Sequence, residues 1–232
     1  MKNQISLFFG DKSSARPTQQ LWSINSSQAL AAEFNKQPEL TSLNHIFALR
    51  QTHSTQGYAL WSKQDVLDFK PYEFEGDYLI TNQPHVGLMV ATADCVPVIL
   101  YDTKNQVVAN IHAGWRGTAQ NIVLKVLEHM QRDCKTNSED IQVFIGPNAR
   151  ACCYEVSQDF LNHFPEPFTF LDNGLWKCDL VGYISSQLIE HGVPPLSIDT
   201  QKAACTICSL EYCSYRREKE QALRQFSIVA LF

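Results

Sequence analysis

Nothing in this 232-residue chain approaches the ~18 consecutive apolar residues that a membrane-spanning helix requires. Positive charge is in short supply too. Nineteen lysines and arginines face 24 aspartates and glutamates, a formal charge of −5, which argues against nucleic acid or an anionic membrane as the main partner. The one basic cluster, SYRREK at 214–219, is brief and carries a glutamate. Internal repeats, low-complexity tracts and a linker that would divide the chain are all missing, so residues 1–232 read as a single domain. The first apolar run, Ile5 to Phe9, is shorter than the ~7–15 residues of a signal-peptide core and no small-residue cleavage site follows it. A cytoplasmic protein is the expectation.

Cysteine, by contrast, is plentiful. Eight of them would signal a disulfide framework in a small secreted chain, but this chain is neither small nor visibly secreted. Reduced thiols are therefore the default, with metal binding or catalysis as reasons to look further.

The apolar pattern is dominated by strand-like runs: QISLFF at the start, then HIFAL (45–49), YALW (58–61), DYLIT (77–81), VGLMVAT (86–92), VPVILYD (96–102) and QVVANIH (106–112). Turn residues separate them, and the central runs are apolar almost throughout, as expected of strands covered on both faces. IQVFIGP (141–147) and FSIVALF at the end read as further strands. Helical spacing predicts helices over Ser26–Asn35, Thr118–Arg132 and Asp179–His191. The class is α+β or mixed α/β, with layered sheets and helices packed outside.

Three potential ligands fall at strand ends. His53 follows HIFALR, Cys95 lies between VGLMVAT and VPVILYD, and His112 closes QVVANIH just before Gly114 and Gly117. Two imidazoles and a thiolate suit zinc, whose catalytic sites use three protein ligands and keep a fourth position open. The competing reading treats Cys95 as a buried small hydrophobe. His45, His129, His163 and His191 read as hydrogen-bonded residues, and His85 as a turn residue. CTIC (205–208) with Cys213 looks like half of a structural zinc site, yet no second CxxC pair completes it. Cys152, Cys153 and Cys178 read as packing residues.

Taken together, GDYLITNQP, TADCVPVIL, IHAGWRGT, IGPNARACCYEV, KCDL, CT and SYRR, in that order, resemble the motifs of the bacterial YfiH-type family. This is also called the laccase-domain or multicopper polyphenol oxidase family, and its members were later described as purine nucleoside phosphorylases. The resemblance runs from about Arg50 to Arg217. It implies a zinc held by His53, Cys95 and His112, with copper as the alternative ion. It also implies phosphorolysis of adenosine, inosine and methylthioadenosine, and deamination of adenosine, so that purine nucleosides and phosphate are the partners. Two family segments depart here: FFGDKSSARP keeps only Gly10 and the serines of a Gly-Gly-x-Ser motif, and REKEQALRQF lacks a Thr-Gly-Arg motif.

Chemistry then assigns roles. Seven histidines, most of them outside any motif, suit a laccase with several copper centres poorly. Asp94 either orients a ligand or serves as acid/base, and Asp77 stands in the same position on a neighbouring strand. Arg50 is the candidate phosphate contact because a guanidinium matches phosphate bidentately, with Ser14 and Ser13 as further candidates. Arg116 either contacts substrate or pins the GWRG turn. Two other classes remain open: a cysteine hydrolase or amidase acting on cell-wall precursors, with Cys95 as nucleophile and His112 as base, and a non-catalytic zinc-binding protein. Oligomeric state is not legible.

Overall fold

The structure is a computed structural model that describes residues 5–17, 20, 22–24, 26–40 and 42–232. It is a mixed α/β fold built on two stacked sheets. The four-stranded sheet runs in the order β1 (Ile5–Phe9), β12 (Gln225–Leu231), β5 (Val86–Thr92), β2 (His45–Phe47). The six-stranded sheet runs in the order β11 (Ile198–Asp199), β8 (Ile141–Ile145), β6 (Val96–Asp102), β7 (Val107–Ala113), β4 (Tyr78–Thr81), β3 (Gly57–Leu60). Both are mixed. β2–β5, β3–β4 and β8–β11 pair in parallel, and the other pairs are antiparallel.

The alternation of side chains along each strand divides the core into three slabs. Between the sheets lie Phe47, Leu79, Leu88, Ile99, Val108 and Val229. The opposite face of the six-stranded sheet, with Val98, Leu100, Ala109, Ile111 and Val143, packs on α4 (Ile122–Cys134) and α5 (Leu180–Glu190). The outer face of the four-stranded sheet, with Phe8, Met89, Phe226 and Ile228, packs on α1 (Ser27–Phe34). The layers are therefore helix, sheet, sheet, helix. The continuous apolar character of β5, β6 and β7 follows from this: each is sandwiched on both faces.

One expectation needs adjusting. The helical pattern over Thr118–Arg132 belongs to two helices, α3 (Trp115–Ala119) and α4, which part at Asn121, a residue in the left-handed conformation (φ 61). Asparagine tolerates that conformation, so the chain can turn a corner there. Shorter elements complete the fold: α2 (Lys63–Asp68), the hairpin β9 (Thr169–Asp172) and β10 (Leu175–Cys178), and α6 (Tyr215–Glu218). No helix among the described residues is long and apolar enough to cross a membrane.

Three passages between or beyond the sheets matter for function. The segment 48–56 leaves β2 in one sheet and enters β3 in the other, and the segment 93–95 takes β5 across to β6 in the same way. β7 ends at Ala113 beside them. His53, Cys95 and His112 are carried by these three passages.

Candidate metal centre and cavity

The three side chains meet. One ligand atom from each of His53, Cys95 and His112 lies within 4.8 Å of the other two. Cys95 Sγ is 3.9 Å from His53 Nε2, and the two imidazole rings stand edge to face with centroids 4.9 Å apart.

Asp77 organises them. It is 1 % exposed, immediately before β4, and its carboxylate accepts from His112 Nδ1 at 2.8 Å. That bond leaves His112 Nε2 as the free ring nitrogen. The same carboxylate accepts from the backbone N–H of His53 at 3.0 Å, the N–H of Ser54 at 2.6 Å and the Ser54 hydroxyl at 2.7 Å. His53 is held in the left-handed conformation (φ 59), which costs a residue with a Cβ on the order of 1 kcal/mol. The cluster of N–H donors on Asp77 offsets that cost. Gln51 ties the same segment to the end of β5, donating to Ala91 O and accepting from Ala91 N, both at 2.8 Å.

The glycines of HAGWRG allow the approach. A Cβ on Gly114 would come within 2.8 Å of His53 Cδ2 and 3.2 Å of Cys95 Sγ, and one on Gly117 within 3.0 Å of Ser54 O. A side chain at Gly114 would push on the donor set directly, and one at Gly117 on the backbone next to His53.

The electrostatics fit a cation. Burial alone raises the Cys95 thiol, but the His112 and His53 imidazoles outweigh it and draw it down to about 6. Burial works against charge on His112, yet the Cys95 sulfur and the Asp77 carboxylate push it up to about 9. Burial raises the Asp77 carboxyl as well, and the bonds from His112 and Ser54 hold it below its usual range. Thiolate and carboxylate thus press positive charge onto the imidazole between them. A divalent ion bound by two imidazole nitrogens and a thiolate would supply that charge in place of the proton, and this donor set suits zinc.

These groups open into a cavity of about 670 Å³, within the range of small-molecule sites. Its wall includes Asp94, Trp115, Tyr154 and Tyr215, and three guanidinium groups: Arg116, Arg216 and Arg224. Arg116 is exposed and lies 4.5 Å over the Trp115 ring, and its guanidinium makes no hydrogen bond to protein among the described residues. Arg216 sits 5.6 Å over the Tyr154 ring and donates to Glu155 O at 2.8 Å.

The other candidates lie elsewhere or are otherwise engaged. Asp94, with φ 87, accepts from the Thr206 hydroxyl at 2.7 Å and from Arg216 N at 2.6 Å, so it braces the wall that carries Arg216. Asp77 lies beneath the donor set and does not line the large cavity. Arg50 is exposed outside it, donating to Glu73 O at 3.3 Å. Ser14 lines a separate cavity of about 460 Å³ beside Gly10 and Asp11 and donates to Asp11 O. Gln51, Tyr154, Arg216 and Arg224 were not anticipated as site residues. Arg216 and Tyr154 belong to the SYRR and CCYEV motifs, so the signal was present.

Comparison with known proteins adds the following. The family model described as multi-copper polyphenol oxidoreductase laccase matches residues 24–232. A purine nucleoside phosphorylase of Clostridium acetobutylicum is 37% identical over 186 residues, covering 78% of this chain and 75% of the relative. A purine nucleoside phosphorylase of Aquifex aeolicus is 37% identical over 158 residues, covering 68% of this chain and 72% of that protein. The crystal structure of a hypothetical protein YfiH from Bacillus licheniformis superimposes with a TM-score of 0.80 at 25% identity, over 99% of this chain and 93% of that one.

Proposed function

The chain belongs to the multi-copper polyphenol oxidoreductase laccase family, and from that membership we propose that it is a zinc-dependent purine nucleoside phosphorylase that also deaminates adenosine. The observation that carries the reading is the meeting of a His–Cys–His donor set, three guanidinium groups, of which Arg116 is unengaged, and aromatic rings in one cavity. The phosphorylase names of the similar Clostridium and Aquifex proteins support it.

Phosphorolysis of a nucleoside joins a phosphate oxygen to ribose C1′ while the C1′–N9 bond breaks. The bonding pair leaves with the purine, which takes up a proton. Such a site needs a base platform and an anion clamp. Trp115, Tyr154 and Tyr215 give the purine an aromatic wall. Arg116, its donors unspent and its plane set by Trp115, is the residue we assign to phosphate, with Arg216 as its partner. His53, Cys95 and His112 would hold the zinc, which supplies Lewis-acid polarisation and acidified water to the deamination. The oxidase reading has less to stand on. Among the described residues, only one cluster able to hold a metal contains histidine. Multicopper chemistry requires several such clusters.

The decisive experiment is product analysis of the zinc-loaded protein on adenosine and inosine, with and without phosphate. Purine release should require phosphate, and inosine should form from adenosine without it. Arg116→Ala should slow phosphorolysis about ten- to a hundredfold, the ~1.5–3 kcal/mol of a lost charge-assisted contact, while deamination changes far less. Arg50→Ala, altered outside the cavity, should leave both rates within about threefold. If Arg50→Ala shows the large, phosphate-specific loss and Arg116→Ala does not, the anion clamp lies at Arg50.

A second reading keeps one supporting observation: the Cys95 thiol drawn down to about 6 beside His112 is also what a cysteine nucleophile would show. Chelation separates the two. A cysteine hydrolase survives removal of metal, and the zinc enzyme does not.

A further inference from the structure

CTIC does find its missing half. The loop that follows β8 runs alongside residues 203–206. Asn148 N donates to Ala204 O at 3.0 Å and Thr206 N to Asn148 O at 2.9 Å, so that Asn148 and Cys205 form an isolated parallel bridge. Arg150 adds a bond from its guanidinium to Ala203 O at 2.8 Å. This pairing carries Cys152 and Cys153 onto Cys205 and Cys208, and one sulfur from each lies within 4.8 Å of the other three.

Packing does not explain the meeting. Cys178 and Cys213 behave as packing cysteines and are fully buried, at 0 % exposure. Cys152 and Cys208 are exposed, and Cys153 and Cys205 are half-buried. Four thiols therefore gather at the surface, where no apolar contact is gained by bringing them together. A tetrahedral zinc with Zn–S bonds of about 2.3 Å needs sulfur separations of about 3.8 Å, within roughly 1 Å of the arrangement present.

The CxxC spacing puts Cys205 and Cys208 on one turn, so that a single turn presents both sulfurs to the same point. Lys177 braces the Cys152 loop: its Nζ donates to Cys152 O at 3.0 Å and is ion-paired with Asp172 at 2.6 Å.

We infer that Cys152, Cys153, Cys205 and Cys208 form a second metal site, a closed set of four sulfur ligands for zinc. With no position left open, such a site is structural. It would clamp the cavity wall. Thr206, inside the CxxC turn, donates to Asp94 at 2.7 Å, Asp94 accepts from Arg216 N, and Tyr154 directly follows Cys153. The site is independent of the reaction proposed above and stands or falls on metal content alone.

The test uses the full chain purified under reducing conditions and loaded with Zn²⁺, with metal measured by elemental analysis. Cys95→Ser, which disables only the first site, should retain one zinc per chain. Adding Cys205→Ser and Cys208→Ser to it should leave none. In the Cys95→Ser protein a maleimide should label four thiols only after a strong chelator is added, a readout that does not depend on the folding of the cysteine-pair variant. Cobalt(II) in the same protein should show the intense sulfur-to-metal absorption of a tetrathiolate. A zinc-free Cys95→Ser protein, prompt labelling of the four thiols in the presence of Zn²⁺, or a mass showing two disulfides would each overturn the proposal.

Discussion

Cys95→Ala is expected to lose one equivalent of zinc and to slow the deamination of adenosine by at least about a thousandfold, on the order of 4 kcal/mol of barrier. The sulfur is one of three ligand atoms within 4.8 Å, and alanine offers nothing in its place. Removing it also withdraws the negative charge that draws the imidazole pair towards a cation. The remaining two imidazoles have little affinity left, because zinc sites with an open position already work at the minimum of three protein ligands. Elemental analysis and steady-state rates on adenosine, with and without phosphate, check both halves. His112→Ala should behave alike, since it removes a ligand and leaves Asp77 buried with one bond fewer. Full zinc retention in Cys95→Ala would mean that the thiol is not a ligand. Loss of that rate with zinc retained would move Cys95 to the role of nucleophile.

Strands were the easiest part of this fold to anticipate from sequence. β5 and β6 coincide with VGLMVAT and VPVILYD because both faces of each are covered, so the apolar run and the strand are the same object. The convergence of His53, Cys95 and His112 was legible for a related reason. Each ligand lies at or shortly beyond the end of an apolar run, where the chain passes from one strand to the next. Shorter elements were missed although their signals were there. Ser62 and Asp65 form a capping box that starts α2, and Asn173-Gly174 is the turn of the β9–β10 hairpin.

What could not be read was pairing between distant loops. Nothing local in CTIC announces that residues 147–153 will lie beside it, since that depends on the parallel bridge at Asn148 and Cys205, 57 positions apart in the numbering (205 minus 148). The same limit applies to charge. Arg50 stands three positions before His53 yet lies outside the cavity, whereas Arg216 reaches it from 163 positions after His53 (216 minus 53). A neighbour in sequence at a strand end is as often turned outward as inward, because successive side chains alternate.

Asp77 carries the second large effect. Asp77→Asn keeps the shape of the side chain and exchanges one acceptor oxygen for an NH₂ group. Every partner of the carboxylate is a donor: Oδ1 serves His53 N and His112 Nδ1, and Oδ2 serves Ser54 N, the Ser54 hydroxyl and, at 3.4 Å, Thr52 N. Whichever way the amide turns, its NH₂ meets at least one fixed backbone N–H at hydrogen-bond distance, and a buried donor is left unpaired. A cost of about 1–3 kcal/mol follows for that group alone. The loss should appear as a lower denaturant midpoint with an unchanged slope. Metal binding suffers separately. The carboxylate fixes the His112 tautomer with Nε2 outward and holds His53 in its left-handed turn, and such outer contacts are worth about ten- to a hundredfold in metal affinity. Competition with a chromophoric chelator should therefore show weakened zinc at the first site, while the zinc that survives Cys95→Ser is unaffected. Asp94→Asn is the matching control. Its oxygens hold Thr206 and Arg216 but touch none of the three ligands, so it should raise KM for the nucleoside and leave zinc affinity unchanged. Should Asp77→Asn bind zinc as tightly as the unaltered protein, the carboxylate would be a brace for the 52–54 turn alone, and the orientation of His112 would have to come from β7.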